Sequence, residues 1–200
     1  MYLKNLNLLI IDIPKNASKT IRKAAKLAGN DVELEGHLTY KQSMYHIRYI
    51  NLVIAAVIRH PKERLVSAFN FIYDEKYDPC KFVDEVFDLL GSNAISTLGR
   101  AAKHAFNPQY HYLDGANKVI LYPFSDIDKL CRGIGFLGDI PRENPSPKII
   151  TSEMIFEHRG APKVLENYSY DFYLYNFANA LKHSQSPTRA SRVYPAYPAP

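Results

Sequence analysis

The sequence predicts an α/β fold, a central parallel sheet of about four to five strands flanked by helices, on three observations. Short apolar runs alternate with segments of helical period, and a proline follows each of the main runs. The 200 residues, 46% of them hydrophobic, supply one sizeable core and are too few for two ordinary domains. A single domain is expected over 1–182. Residues 183–200, with four prolines, no acidic residue and no apolar period, read as a flexible basic tail.

The elements follow in order. Residues 6–13 form a near-continuous apolar segment of the kind buried parallel strands carry, and Pro14 ends it. From Lys19 the residues Ile21, Ala24, Ala25 and Ala28 repeat at helical spacing, with Arg22, Lys23 and Lys26 opposite, and Gly29-Asn30 closes the helix. A second strand runs from Leu52 to Ile58. Pro61 then suits the first turn of a helix striped by Leu65, Ala68, Phe69 and Ile72, because its missing N–H costs nothing there. A third strand, Val119 to Tyr122, ends at Pro123, and Ser125 is expected to cap the helix carrying Ile127, Leu130 and Ile134. Further helices are expected at about 80–90, 151–158 and 169–182, the last striped by Tyr170, Tyr173, Leu174, Phe177 and Leu181. Three prolines make 141–148 a loop.

Several classes are disfavoured by composition. No apolar run approaches the roughly 18 residues of a membrane span, and the start of the chain reads as a strand rather than a secretory signal, so a cytoplasmic protein without an anchor is expected. Cys80 and Cys131 fit no metal or disulfide spacing and read as buried thiols. No two-histidine-plus-carboxylate cluster at helical spacing points to a metal site. The formal charge of +5 favours anionic partners. Nucleic acid is disfavoured among them, because the basic residues are dispersed and the 15 tyrosines read largely as core and helix-stripe residues.

Two loops carry the functional signal. The first, Pro14-Lys15-Asn16-Ala17-Ser18-Lys19-Thr20, joins a buried strand to a helix N-terminus, where free backbone N–H groups and the helix dipole favour a phosphate. Lys15 adds a mobile charge, and Ser18 and Thr20 offer hydroxyl donors. The loop lacks the Gly-x-x-x-x-Gly-Lys-Ser/Thr pattern, which argues against a nucleoside triphosphatase. Its bland reading is a helix start after a strand with a solvated lysine. In the second segment, Ile58-Arg59-His60-Pro61-Lys62-Glu63-Arg64-Leu65-Val66-Ser67-Ala68-Phe69, Arg59 sits at the carboxyl edge of a strand, where its guanidinium can take a second phosphate with Ser67 donating from the helix. The bland alternative is that Arg59 and Arg64 make surface ion pairs with Glu63 or Asp74, each worth about 0–1 kcal/mol.

Together these segments resemble the sulfotransferases that use 3′-phosphoadenosine-5′-phosphosulfate (PAPS), closest to the carbohydrate-type branch with its heparan and chondroitin sulfotransferases and bacterial or phage relatives. Weaker echoes lie in Asn107-Pro108-Gln109 with Tyr112-Leu113, and in Tyr168-x-x-Asp171-Phe172-x-Leu174-Tyr175. The resemblance covers about residues 6–180 and implies a three-layer, P-loop-like fold. It implies that Lys15 meets the bridging or sulfuryl oxygens, that Pro14 and residues 16–20 hold the 5′-phosphate, and that Arg59 and Ser67 hold the 3′-phosphate. PAPS would be the donor, no metal would be needed, and the acceptor would be a hydroxyl, on this branch a carbohydrate one. One departure matters: many members carry glycine where this chain has Ala17 and Ser18, so any position there needing positive φ is strained.

The acceptor must lose a proton, and seven histidines compete to take it. His37, in Glu35-Gly36-His37-Leu38-Thr39, resembles the family's base and ranks first; His111 is the runner-up, and His104 also flanks the Pro-Gln segment, while His60 reads as part of a helix turn. Two rivals stand beside the transferase: a nucleotide- or polyanion-binding module that has lost the chemistry, and a nucleotide or sugar kinase, for which neither magnesium ligands nor a Gly-Lys-Ser/Thr loop is visible.

Overall fold

The structure, a computed structural model, describes residues 1–47, 51–141 and 149–183. Among the described residues five strands form one sheet in the order β3-β1-β2-β4-β5. Its centre is β2 (Leu8–Ile11), paired in parallel with β4 (Val53–Ile58), which pairs in parallel with β5 (Ile120–Pro123). These are the three strands expected from the apolar runs. The sheet is nevertheless mixed rather than parallel throughout. β1 (Tyr2–Leu3) runs antiparallel to both β2 and β3 (Val32–Glu33), turning back through a 3₁₀ turn at Lys4–Leu6 that Asn7 closes at φ 48°. The segment expected as one strand over 6–13 therefore begins inside that turn.

Helices cover both faces, because the strand side chains alternate. Leu9, Ile11, Ile54, Ala56, Ile58 and Leu121 point to the face packed by Tyr112, Leu174 and Ala178. Ile10, Ala55 and Val57 point to the other, under Ile21, Ala25, Leu130 and Ile134. The first face thus takes α6 (Gln109–Leu113) and α10 (Ser169–His183), and the second takes α1 (Ser18–Leu27) and α7 (Ile127–Gly133). A third apolar cluster joins α3 (Pro61–Ile72) and α4 (Pro79–Gly91) to α5 (Arg100–Phe106), α8 (Ser152–Phe156) and α9 (Ala161–Glu166). Fully burying a side chain such as Phe69 or Leu121 stabilises by about 1.5–3 kcal/mol.

Several details differ from expectation. Ser125 does not cap α7: a 3₁₀ turn at Phe124–Asp126 leads into the helix, and Ser125 donates to Asp126 Oδ1 at 3.2 Å. Cys80 is exposed on the first turn of α4, and only Cys131 is a buried thiol. Tyr173 leaves the buried stripe of α10, 45% exposed, and stacks between Tyr170 and Phe177. A helix absent from the sequence reading, α2 (Tyr40–His46), starts at a capping box in which Thr39 accepts from Gln42 N and Gln42 returns the bond to Thr39 N. Most of the 141–148 loop and all of the tail beyond His183 lie outside the described residues. Among the described residues no helix is long and apolar enough to cross a membrane.

Candidate anion site and its histidine

The first loop leaves β2 at Ile11 and enters α1 at Ser18. Two residues in it are left-handed, Lys15 at φ 68° and Ala17 at φ 63°. Ala17 is thus the position where glycine would fit without strain; holding an L-residue there costs roughly 1–2 kcal/mol. This backbone turns the chain so that α1 begins without a side-chain cap, and its first loop-to-helix bond is Ile21 N–H to Ala17 O. Asn16 N–H is spent inside the turn on Ile13 O at 3.2 Å, and the first-turn amides of α1, which have no partner within the helix, are the donors an anion would meet. Ser18 and Thr20 are buried and Lys19 is exposed. Ser18 spends its hydroxyl proton on Ile13 O at 3.1 Å, so of the two expected hydroxyl donors it is already engaged.

Lys15 leans over the Phe71 ring, 4.2 Å from its centre. Burial, followed by the charges of Arg59, Lys19 and Arg64, lowers its ammonium to about 8. Arg59 emerges from the carboxyl end of β4 and donates from Nη1 to Lys15 O at 3.2 Å, while its Cζ stands 4.6 Å from the Phe124 ring centre. Part of the bland alternative also holds, because Arg59 Nε lies 3.5 Å from Glu63 Oε2. Ser67 is half-buried on α3. Residues 59, 63, 67 and 71 recur every fourth position, so Arg59, Ser67 and the Phe71 that receives Lys15 lie along one side of α3 and the turn before it.

Arg64 does not make the surface ion pair that the sequence offered it. Only 1% exposed, it donates from Nε to Pro14 O at 3.1 Å and from Nη2 to Asn107 O at 2.7 Å. It therefore ties α3 to both the first loop and the Asn107-Pro108-Gln109 segment. Gln109, fully buried, accepts from Asn16 Nδ2 at 2.6 Å and from Arg59 N–H at 3.0 Å, and donates to Arg59 O at 2.9 Å. Asn16 Nδ2 also donates to Val57 O at 2.6 Å, which fixes its amide orientation; its Oδ1 is buried without a hydrogen-bond partner. Asp171 on α10 accepts from Gln109 N–H at 2.7 Å and Tyr110 N–H at 3.0 Å, capping α6 from another element. Burial raises this carboxyl to about 6, against the pull of Arg64 and the two backbone donors. The two weaker sequence echoes thus meet as one buried polar clamp behind the loops.

His37 stands beside the end of β2. Its Nδ1 is 2.9 Å from Asp12 O and 3.3 Å from Asp12 Oδ1, and the Asp12 carboxylate also receives Arg22 Nη2 at 2.7 Å. Burial works against the imidazolium, but the bonds and charge of Asp12 outweigh it and the His37 pKa is raised. Asp12, whose burial alone would raise it, is lowered chiefly by His37. An Nδ1–H held by Asp12 leaves Nε2 free as a proton acceptor, and 38% of the side chain is exposed to receive one. The His104 ring lies 6.3 Å from that of His37, with Nδ1 3.2 Å from the Tyr112 hydroxyl; burial, then the charge of His37, lowers its pKa. His111 stacks on Tyr110 and lines a separate cavity of about 360 Å³ with Lys103, Asn107 and Asn167. His60 packs edge-on against Phe172 and Tyr175, as a turn residue should.

Asp12, Arg64 and Gln109 are the residues that sequence reasoning left without a role in the site. A charged residue breaking the apolar run at Asp12 was the one signal for the first of them. Among the described residues no group of three or more histidine, cysteine or acidic side chains forms a metal site. The chain matches no family model, no curated protein and no solved structure.

Proposed function

We propose that this chain is a PAPS-dependent sulfotransferase that moves a sulfuryl group to an acceptor hydroxyl, on a P-loop-like scaffold. The observation that carries the reading is the pairing of two cationic loops at the carboxyl ends of the adjacent parallel strands β2 and β4, with Arg59 Nη1 bonded to Lys15 O at 3.2 Å. Ligands of open α/β sheets bind at such strand ends, and two separated phosphates suit two such loops. The first-turn amides of α1 with Ala17, Ser18, Lys19 and Thr20 would hold the 5′-phosphate, beside Pro14. Asn16, whose N–H and carboxamide donors are spent on Ile13 O, Val57 O and Gln109, would fix the loop from behind instead of binding the phosphate as the sequence suggested. Arg59 and Ser67 would hold the 3′-phosphate.

In the transfer, the bond from sulfur to the bridging phosphate oxygen breaks as the acceptor oxygen attacks in line. The Lys15 ammonium steadies the charge growing on the departing oxygen. His37 takes the acceptor proton on Nε2, and Asp12 stabilises the imidazolium so formed. A carbohydrate hydroxyl is the acceptor favoured by the resemblance to the carbohydrate-type branch.

The test is calorimetric titration with 3′-phosphoadenosine-5′-phosphate, with and without EDTA, of wild type, Lys15→Ala and Arg59→Ala. Micromolar, EDTA-insensitive binding that weakens about tenfold or more in Arg59→Ala is expected, since a charge-assisted bidentate contact is lost. No binding at millimolar nucleotide refutes the reading. The left-handed Ala17 favours one second reading, a nucleotide-binding module without chemistry, which tight binding with no sulfuryl transfer to any acceptor would identify.

A further inference from the structure

We infer that Gln109 is a positioning residue that fixes the separation of the two anion loops and thereby makes the site selective for a ligand with two phosphates over one with a single phosphate. The choice of ligand rests on the nucleotide reading above; the coupling of the loops rests on geometry alone.

The ladder between β2 and β4 ends at Ile11 and Ala56. Beyond that pair β2 gives way to the loop while β4 runs on through Val57 and Ile58 paired only with β5, so β2–β4 pairing no longer sets how far apart Lys15 and Arg59 stand. Three bonds cross the gap directly, Asn16 Nδ2 to Val57 O, Arg59 Nη1 to Lys15 O and Arg64 Nε to Pro14 O, and the Gln109 carboxamide adds a group that grips both sides at once. It meets the N–H and C=O of Arg59 at 3.0 and 2.9 Å, as the backbone of a neighbouring strand would, and its Oε1 simultaneously receives Asn16 Nδ2 at 2.6 Å. The amide has one workable orientation. Reversed, its NH₂ would oppose two N–H donors and its oxygen would oppose a carbonyl.

Gln109 is in turn held from behind. Asp171 accepts the first two amides of α6, so α10 sets where the carboxamide projects. Gln109 is 0% exposed and acts on a ligand only through Arg59 and through the loop that Asn16 anchors. Two-point binding gains from its second contact only when the second site is already at the right distance. Loosening that distance should weaken a doubly phosphorylated ligand and leave a singly phosphorylated one nearly unaffected, whereas a general loss of structure would weaken both.

The experiment compares wild type with Gln109→Met, similar in length but without hydrogen bonds, and Gln109→Glu, which keeps an acceptor and loses the donor to Arg59 O. Each is titrated with 3′-phosphoadenosine-5′-phosphate and with adenosine 5′-monophosphate. Amide hydrogen exchange of 15–20 and 59–60 is followed without nucleotide. The diphosphate should bind about tenfold more weakly to both variants while the monophosphate changes by less than about twofold. Exchange should quicken in both loops together, with β2 and β4 unchanged. An equal loss for both nucleotides, no loss for either, or quickened exchange in one loop alone overturns the inference. If wild type binds neither nucleotide the nucleotide reading fails, and exchange decides the coupling: joint quickening sustains it and unchanged exchange overturns it. Should the Gln109 variants not fold, Asp171→Asn perturbs the same anchor from outside the site and should shift the same ratio in the same direction; an unmoved ratio there overturns the inference.

Discussion

Asp171→Asn should change the pH dependence of stability in a direction set by burial. The folded carboxyl stands at about 6 against an ordinary 3.8. That difference of about 2 units corresponds to about 3 kcal/mol. Because the folded state holds the proton more tightly than the unfolded chain, ionised Asp171 is a penalty, fully present above pH 6. It shrinks as pH falls through 6 toward 3.8 and is gone below both values. Between pH 7.5 and pH 4 the wild type should recover about 2 kcal/mol from this group. Asparagine carries no such penalty, but its NH₂ would face one of the two backbone donors from Gln109 and Tyr110, leaving that donor unsatisfied at about 1–3 kcal/mol at every pH. The variant should therefore be near wild type at pH 7.5 and less stable by about 2 kcal/mol more at pH 4. Urea unfolding of both proteins at pH 4, 5, 6 and 7.5 measures the difference. A variant-minus-wild-type stability that stays constant across that range would show that the buried carboxyl is not raised, and would refute the account of the clamp as a desolvated anion.

Nucleotide binding at pH 8 should take up about half a proton, because Lys15, lowered to about 8, regains its charge beside phosphate. The observed heat at pH 8 should then depend on the ionisation enthalpy of the buffer and lose that dependence in Lys15→Met; a buffer-independent heat at pH 8 contradicts this. Transfer activity should rise with pH along a limb above that of a free histidine, since His37 works neutral and its pKa is raised. Asp12→Asn should move the limb to lower pH, and His37→Ala should cost about 10²–10⁴-fold in kcat; an unmoved limb removes His37 from the base role. Ala17→Gly should stabilise by about 0.5–1 kcal/mol, the left-handed strain relieved minus the extra freedom of an unfolded glycine, and Ala17→Val should destabilise. Denaturant midpoints in any order other than Gly, Ala, Val would mean that the loop relaxes around the substituent.

The strands β2, β4 and β5 were legible because a strand buried on both faces must be apolar throughout, and prolines mark where each chain turns away. β1 and β3 were not, since two-residue strands have no period and exist only through their pairing with each other and with β2. The capping box at Thr39 and Gln42 was readable and would have given α2. The site divides the same way. Residue types at a strand end and a helix start are local, so both loops stand out. Gln109 and Asp171 lie 62 residues apart, and only the meeting of α6 with α10 turns two weak motifs into one clamp. Arg64 misleads for the same reason: a charged residue four from a helix start reads as solvated, and nothing local says that Pro14 O and Asn107 O will be waiting for it inside.

Arg64 also bears on why the loops stand ready for an anion. Both of its bonds go to carbonyls, so its charge is solvated by dipoles and not cancelled by a bonded carboxylate. The charge then acts outward. It helps lower Lys15 and pulls against the burial that raises Asp171. With Arg59 paired to Glu63 at 3.5 Å, Lys15, Arg59 and Arg64 converge on the first loop, and the charges of Arg59 and Arg64 help push Lys15 down. Such a cluster is unfavourable in the free protein and becomes favourable when counter-charge arrives, because the fixed positions need no rearrangement to meet it. The buried clamp of Asn16, Gln109 and Asp171 holds the cluster together against its own repulsion. The same residues that cost stability in the free protein are therefore those that convert an arriving polyanion into binding energy.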